Sequence, residues 1–191
     1  MSKSYGQFCG LARSLDVVGD RWTLLIVREL LMAPARFKDL QNGLPGIATN
    51  LLTERLNGLV ELGVITRHTE GPRPVYELTE FGEGLREPIE ALVRWSAPLM
   101  IAGPGDDHAD PRWLAIAVPA LLAQVDPGRS DGETIQVDGV TLRVTPTPSG
   151  VDVQLLPDGV ERGDIDHQTT MLQVLGAAFI CQSFDDFVQA L

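Results

Sequence analysis

A run of helix breakers near the middle of the chain constrains the fold more than any other feature. Residues 103–111 read Gly-Pro-Gly-Asp-Asp-His-Ala-Asp-Pro, a composition that ends helices and strands. The 191 residues suffice for two small domains, and 44% of them are hydrophobic, so each half can build a core. We therefore predict two domains, residues 1–102 and residues 111–191.

Charge is distributed unequally between these halves. Residues 1–100 carry 11 Lys and Arg against 12 Asp and Glu, whereas residues 101–191 carry 4 against 14. The second half therefore carries about -10 of the net charge of -11, and the first half about -1. An acidic chain is an unusual nucleic-acid binder, because phosphate contacts need Lys and Arg, but the nearly neutral first half stays compatible with that role.

The chain has no apolar run of the roughly 18 to 20 residues that a membrane span needs, and its first residues lack a signal-peptide core. Only Cys9 and Cys181 occur, far apart and without a Cys or His pattern beside them, so neither a disulfide framework nor a metal site is indicated. We expect a cytoplasmic protein with reduced thiols, no cofactor and no membrane partner.

Apolar spacing in the first half predicts a series of short helices. We expect Asp20 to cap the second of them, which is hydrophobic almost all round and should be a core helix. Thr49 or Thr53 should cap or stabilise the start of the fourth. The predicted helices cover residues 7–18, 21–32, 36–42 and 48–62.

The fourth predicted helix has two different faces. One is apolar and should pack inward, and the other is polar and free to contact a ligand. The apolar positions are Leu52, Leu56, Leu59 and Val60. The polar positions are Asn50, Thr53, Glu54, Asn57 and Glu61.

A hairpin and a long helix should complete this half. Residues 64–69 and 74–78 alternate as strands around a turn at 70–73, and Thr79 should cap a helix that reaches Met100, slightly bent at Pro88. Helix-turn-helix followed by a hairpin is the winged-helix order. A polar helix face then fits the DNA major groove, and basic residues on the hairpin reach flanking phosphates.

This order assigns nine residues to a DNA interface. They are Thr49, Asn50, Thr53, Asn57, Arg36, Lys38, Arg55, Arg67 and Arg73. The alternative interpretation of each is an ordinary solvated surface position. For Arg55 a structural ion pair with Asp39 or Glu29 is an equal alternative, because its helical angle lies near the packing face.

Residues 5–100 contain several short motifs. They are Cys9, Gly19-Asp20-Arg21-Trp22-Thr23-Leu24-Leu25-Ile26, Arg36-Phe37-Lys38-Asp39-Leu40, Leu44-Pro45-Gly46-Ile47, Leu52-Thr53-Glu54-Arg55-Leu56 and Tyr76-Glu77-Leu78-Thr79-Glu80-Phe81-Gly82. Through them this half resembles the HxlR family of bacterial regulators. The resemblance implies a repressor-type homodimer, paired through its N-terminal and last helices, on an imperfect DNA palindrome. Ala48 and Gly10 depart from the usual Ser and the frequent Pro, so the operator sequence does not carry over.

The family resemblance also bears on Cys9, because the matching cysteine senses oxidants or electrophiles in some members. It therefore implies a redox-sensor role for Cys9. A small hydrophobic residue on the apolar face of the first helix is the alternative explanation. Arg13, one turn on, is the nearest cation along the sequence that could lower the thiol pKa.

The second half should form a small α+β domain: a helix, a three-stranded meander and closing helices. The predicted helices cover residues 113–122, 167–177 and 183–190, and the strands 133–138, 140–146 and 150–156. In this order it resembles sterol-carrier-protein-like modules, which implies a hydrophobic effector held by Trp113, Leu121 and Phe179. The alternative is a core without a cavity that serves as an extra dimerisation or partner-binding surface.

The sequence gives little support for an enzyme active site. Its strongest candidates are two loop clusters, Asp106, Asp107, His108 and Asp110, and Asp164, Asp166 and His167, in a chain without a nucleophile motif or phosphate-binding glycine loop. We therefore predict no catalytic residues. The competing hypothesis to a DNA-binding regulator is a ligand-binding or protein-interaction module that keeps the winged-helix shape without binding DNA.

Overall fold

The computed structural model describes residues 4–69, 73–123, 125–128, 131–159 and 165–191. Packing divides the chain into two compact units, Met1–Ile89 and Glu90–Leu191. This division precedes the breaker-rich segment, and the domain boundary at residues 103–111 stays a prediction. No helix in the described ranges is long and apolar enough to cross a membrane.

In the first unit, the described residues up to Leu78 form four helices and a small sheet. The helices are α1 (Gly10–Val18), α2 (Thr23–Met32), α3 (Phe37–Gly43) and α4 (Thr49–Glu61). The strands are β1 (Ala35–Arg36), β2 (Ile65–His68) and β3 (Val75–Leu78), in the antiparallel order β1-β3-β2. The predicted helices and hairpin are confirmed, but strand β1 was not predicted, because two residues carry no measurable alternation.

The core of this unit is centred on α2. Ile26, Val27, Leu30 and Leu31 are buried there, which confirms the predicted core helix. The predicted N-cap of α2 is wrong, since Trp22 occupies that position in the left-handed region at φ 80°. Helix α1 also begins later than predicted, at Gly10, because Cys9 is in extended conformation.

The predicted long helix after the hairpin is two helices. They are α5 (Glu80–Glu83) and α6 (Arg86–Ser96), and a short 3-10 helix, Ala97–Met100, follows. The bend expected at Pro88 is wrong, because Pro88 lies in the first turn of α6, where the missing N–H has no intrahelical acceptor to lose. The Thr79 cap is confirmed: its Oγ1 accepts a hydrogen bond from the Gly82 N–H at 3.1 Å.

The second unit contains an α+β domain. A 3-10 turn, Pro111–Trp113, leads into α7 (Leu114–Leu121), and α8 (Met171–Ile180) and α9 (Phe184–Gln189) end the chain. The sheet has the order β6-β5-β4-β7. Its strands are β4 (Glu133–Val137), β5 (Val140–Thr147), β6 (Gly150–Leu155) and β7 (His167–Thr169).

The predicted meander corresponds to β4, β5 and β6, whose alternate residues Leu142, Val144 and Val153 are buried. The fourth strand corrects the prediction of a helix from residue 167. Residues 167–169 pair in parallel with residues 135–137 of β4, and α8 begins only after its N-cap, Thr170. Parallel pairing joins segments distant in sequence, so no local signal marks it.

Candidate nucleic-acid interface

Helix α4 presents one packed face and one free face. Leu52, Leu56 and Leu59 are at most 2% exposed, whereas Asn50, Thr53 and Asn57 are exposed at i, i+3 and i+7. A row with this spacing lies along one side of an α-helix. Val60, which we expected on the packed side, is 37% exposed and marks the edge of the buried stripe.

The first turn of α4 is tied to α3 by a side-chain hydrogen bond. Ala48 is the N-cap and offers no side-chain cap, so neither threonine caps the helix, but the expectation that Thr49 or Thr53 stabilises its start is confirmed. Thr49 Oγ1 instead accepts a hydrogen bond from Gln41 Nε2 at 2.8 Å, and Thr53 Oγ1 donates to the Thr49 carbonyl at 2.9 Å. The first bond holds the N-terminal turn of α4 against the preceding helix, and the second lies within α4.

The two asparagines on the free face are not engaged in this way. In the described part of the chain, the side chains of Asn50 and Asn57 make no hydrogen bond. A side-chain amide has two N–H donors and an acceptor oxygen. One donor and the acceptor together can bind the edge of a base. Asn50 and Asn57 therefore keep their hydrogen-bonding capacity for an external partner.

Basic residues lie on the segments that flank α4 in sequence. Arg36 is exposed at the N-cap of α3, where its backbone N–H donates to Asp39 Oδ2 at 3.2 Å. Lys38 is exposed, and its Nζ lies 3.5 Å from Gln41 Oε1. Because glutamine is neutral, this contact leaves the ammonium charge of Lys38 uncompensated.

Arg67 and Arg73 belong to the hairpin. Arg67 lies opposite Tyr76 in the β2–β3 register, and Arg73 lies just before β3. Both are exposed, and neither guanidinium forms an ion pair with another described residue. Most of the predicted turn, residues 70–72, lies outside the described residues.

Arg55 differs from the other candidates because it is already paired. Its Nη1 lies 3.0 Å from Asp20 Oδ2 and 3.1 Å from Glu54 Oε1. The prediction that Arg55 pairs with Asp39 or Glu29 is therefore wrong. Glu29 is paired with Arg28 at 2.7 Å, and Asp39 accepts the backbone hydrogen bond at the start of α3.

Cys9 lies immediately before α1 and is exposed, rather than on the apolar face of a helix. Hydrogen bonds from the backbone N–H groups of Ala12 and then Leu11 lower the pKa of the Cys9 thiol. Free N–H groups at a helix start stabilise a thiolate. The sequence pointed to Arg13 as the nearest source of such a shift, and that residue instead forms an ion pair with Asp16 at 3.5 Å.

The three candidate effector-binding residues lie around α7 and α8. Trp113 directly precedes α7 and meets His108 edge to face at 5.6 Å, and Leu121 ends α7. Phe179, on α8, is 44% exposed. Their role in ligand binding stays a prediction, as does the resemblance of this half to sterol-carrier-protein-like modules.

Several residues of the loop clusters weighed as catalytic candidates have structural partners. The Asp110 carboxylate caps the Pro111–Trp113 turn and forms an ion pair with Arg112. Burial raises the pKa of Asp110, but the contacts with Arg112 and His108 outweigh it, so the pKa is lowered. His167 Nε2 lies 3.7 Å from Glu133 Oε2, and Asp166 accepts a hydrogen bond from the Thr134 N–H at 2.7 Å. Asp164 lies outside the described residues. Within the described ranges, no group of three or more His, Cys, Asp or Glu could hold a metal ion.

Comparison with known proteins identifies the family to which the first half of the chain is similar. The family model described as HxlR-like helix-turn-helix matches residues 17–102. Over 117 residues the chain is 37% identical to the HTH-type transcriptional regulator MT3179 of Mycobacterium tuberculosis (strain CDC 1551 / Oshkosh), a match covering 54% of this chain and 73% of that protein. Over 96 residues it is 31% identical to the HTH-type transcriptional regulator YodB of Bacillus subtilis (strain 168), covering 49% and 84%.

The solved structure of PA1607 is 36% identical and covers 55% of this chain and 73% of its own, with a TM-score of 0.48. The family match contains the described part of the interface, from α2 through the hairpin to α6. The sequence matches cover more than two thirds of both regulators named above. The chain belongs to the HxlR-like helix-turn-helix family and is an HxlR-type transcriptional regulator.

Proposed function

We propose that this regulator binds double-stranded DNA sequence-specifically, as a cytoplasmic homodimer and a repressor, on an imperfect palindrome. Helix α4 enters the major groove, and the hairpin of β2 and β3 contacts the flanking backbone. The observation that carries the proposal is the free face of α4, where Asn50, Thr53 and Asn57 are exposed opposite three buried leucines. The two asparagine amides in this row have the donors and acceptor that can bind a base edge.

Phosphate contacts are assigned to Arg36, Lys38, Arg67 and Arg73. All four are exposed and come from segments that precede or follow α4. Each phosphate neutralised by a cation releases counterions, so binding should weaken steeply as salt increases. The near balance of charge over residues 1–100 makes these cations the main source of attraction to DNA.

Dimerisation is assigned to α1 and α6. Phe8 and Leu11 are exposed at the start of the chain, and Leu92 and Trp95 are exposed on α6. Large apolar side chains at helical spacing on a surface favour burial against a second copy, at about 25 cal/mol per Å². In a symmetric dimer the two copies of α4 should be about 34 Å apart, one turn of DNA.

Regulation is assigned to a small hydrophobic effector in the second domain. Trp113, Leu121 and Phe179 would contact it, and the apolar composition of α7 and α8 supports this. Oxidation or alkylation of Cys9 is a second input, supported by its exposure and its lowered pKa. Either input would act by changing the spacing between the two recognition helices.

The test is a gel-shift titration with DNA from upstream of the protein's own gene and of its divergent neighbour, at about 50 mM and about 200 mM salt. The wild-type protein should bind saturably and lose affinity with salt. Asn50→Ala and Arg73→Ala should each weaken binding, by roughly 1–3 kcal/mol for a base contact. Gln168→Ala, an exposed amide on β7, is the matched control and should bind like wild type.

The two variants should also differ from each other. Arg73→Ala should lower the salt dependence, whereas Asn50→Ala should leave it unchanged and relax sequence preference. Absence of binding at the lower salt concentration would contradict the proposal. That result would favour a ligand-binding or protein-interaction module without DNA-binding activity.

A further inference from the structure

We infer that Asp20 and Arg55 form a latch that orients α4, so that Arg55 is a positioning residue and not a phosphate contact. The inference rests on the proposed function, because the orientation of α4 matters for activity only if this helix binds DNA. It concerns the turn between α1 and α2, at residues 19–22, which lies far from α4 in sequence. The latch is the ion pair between this turn and the middle of α4.

Arg55 is held more firmly than the other candidate cations. Its side chain is 20% exposed, and its Nη1 contacts Asp20 Oδ2 at 3.0 Å. Its Nε is buried and has no hydrogen-bond partner among the described residues. A buried donor without a partner carries a desolvation cost. The Nη1 contacts with Asp20 and Glu54 offset that cost, so the ion pair fixes the side chain.

The local charge also argues against a phosphate contact. Two carboxylates, of Asp20 and Glu54, lie within 3.1 Å of the single Arg55 guanidinium, so the cluster has a net negative charge. A DNA phosphate brought to this cluster would meet repulsion from the unbalanced carboxylate. Arg67 and Arg73, which form no ion pair within the described ranges, do not have this disadvantage.

The backbone of the turn is constrained, although its residues 19–21 are exposed, and this makes it a suitable anchor. The Gly19 N–H donates to the Leu15 carbonyl at 2.9 Å, and a Cβ at Gly19 would lie 2.4 Å from that oxygen. Trp22 adopts a left-handed conformation, and the Arg21 guanidinium lies 5.6 Å from the centre of its ring. Side chains rarely adopt this backbone conformation unless neighbouring contacts enforce it.

The same turn also lies close to the loop that precedes α4. A Cβ built on Gly46 would lie 3.9 Å from Trp22 Cη2, so the indole borders the loop that leads into α4. Asp20 thus holds the middle of α4, and Trp22 borders its approach. These two contacts add to the buried leucines of α4 and the Gln41–Thr49 hydrogen bond in fixing the direction of the helix.

The experiment measures operator affinity over a series of salt concentrations for Asp20→Asn, Arg55→Gln, Arg55→Lys and the exchange Asp20→Arg with Arg55→Asp. We expect each of the two neutralising variants to lower affinity about tenfold, which corresponds to about 1.4 kcal/mol, with the wild-type salt slope. Arg55→Lys and the exchanged pair should recover much of the loss, because both retain an ion pair. The salt slope and the rescue distinguish positioning from general damage to the fold.

The opposite results would overturn the latch. A phosphate contact predicts that Arg55→Gln lowers the salt slope by about 0.9, that Asp20→Asn leaves or improves affinity, and that the exchanged pair is not rescued. Wild-type affinity for the operator tests the proposed function separately, in the same titrations.

If the wild-type protein binds no operator, the proposed function fails. The ion pair between Asp20 and Arg55 can then still be tested in the protein without DNA. Trp95→Phe and Trp113→Phe leave Trp22 as the only indole. In that background Arg55→Gln should make Trp22 more accessible to acrylamide quenching, while Arg55→Lys should not. Equal quenching in the parent and in Arg55→Gln would overturn the latch.

Discussion

Gly82 lies where α5 meets the start of the hairpin, and replacing it with alanine should destabilise the first unit. A Cβ at Gly82 would lie 2.1 Å from the Val64 carbonyl oxygen and 2.9 Å from Leu78 Cδ2. The Val64 oxygen is not free to move away. It accepts a hydrogen bond from the Thr79 N–H at 3.0 Å, and the Thr79 hydroxyl, which donates to the neighbouring Gly63 carbonyl at 2.7 Å, lies 3.1 Å from it.

The magnitude follows from these distances. Carbon and oxygen atoms in contact stay about 3.3 Å apart, so α5 would have to move by roughly 1.2 Å. Such overpacking costs about 1–3 kcal/mol, and weakening the Thr79 hydrogen bond adds about 1 kcal/mol. The better helix propensity of alanine offsets up to about 1 kcal/mol. The net loss in the free energy of unfolding should be about 2 kcal/mol.

The assay is thermal unfolding of the full chain, followed through Trp22 fluorescence in a background of Trp95→Phe and Trp113→Phe, so that the signal reports on the first unit. For a unit of this size the midpoint should fall by about 8–16 °C. The matched control is Gly58→Ala in α4, because a Cβ at Gly58 meets nothing within 4 Å. That variant should be about 0.5–1 kcal/mol more stable than the parent.

A Gly82→Ala variant with an unchanged midpoint would refute the reasoning. It would show that α5 can move away from the hairpin without loss, so that the Thr79 contacts do not define the position of α5. Destabilisation of Gly58→Ala by a similar amount would also count against it, because the effect would then reflect glycine replacement in general and not the contact with Val64.

Two further predictions use the shifted pKa values. Since backbone N–H groups lower the pKa of Cys9 and burial raises that of Cys181, iodoacetamide at pH 7 should label Cys9 first; earlier labelling of Cys181, read by mass spectrometry, would contradict this. The Tyr5 N–H, 2.9 Å from Asp16 Oδ1, is the largest cause of the lowered pKa of that carboxyl, so this contact persists at neutral pH and is lost as pH falls through the lowered pKa. The Tyr5 amide resonance should therefore titrate below the ordinary Asp range, and an unchanged titration in Asp16→Asn would refute the assignment.

The recognition helix could be predicted from sequence because its evidence is local. Leu52, Leu56 and Leu59 recur at the helical period, and Asn50, Thr53 and Asn57 occupy the other side. A residue in a regular helix must point where its position dictates, so the free face follows from the spacing alone. The same reasoning located the hairpin and the meander, whose side chains alternate.

Features that depend on distant partners were not predictable in the same way. Strands β1 and β7 are only two and three residues long and are defined by the strands they pair with. The glycine at position 82 resembles an ordinary turn residue until the Val64 carbonyl is found against it. Arg55 was correctly placed near the packing face, but its partner was not identified.

Local patterns were enough to predict helices α1 to α4, the hairpin, the meander and the free residues of α4, because periodicity and turn chemistry act over a few residues. The tertiary structure alone decided that Arg55 pairs with Asp20, that Cys9 receives hydrogen bonds from the start of α1, and that α8 begins only after a fourth strand. Each of these depends on where one segment comes to lie against another or on where a helix begins. Long-range contacts form through packing of the whole unit and leave no mark in the local pattern.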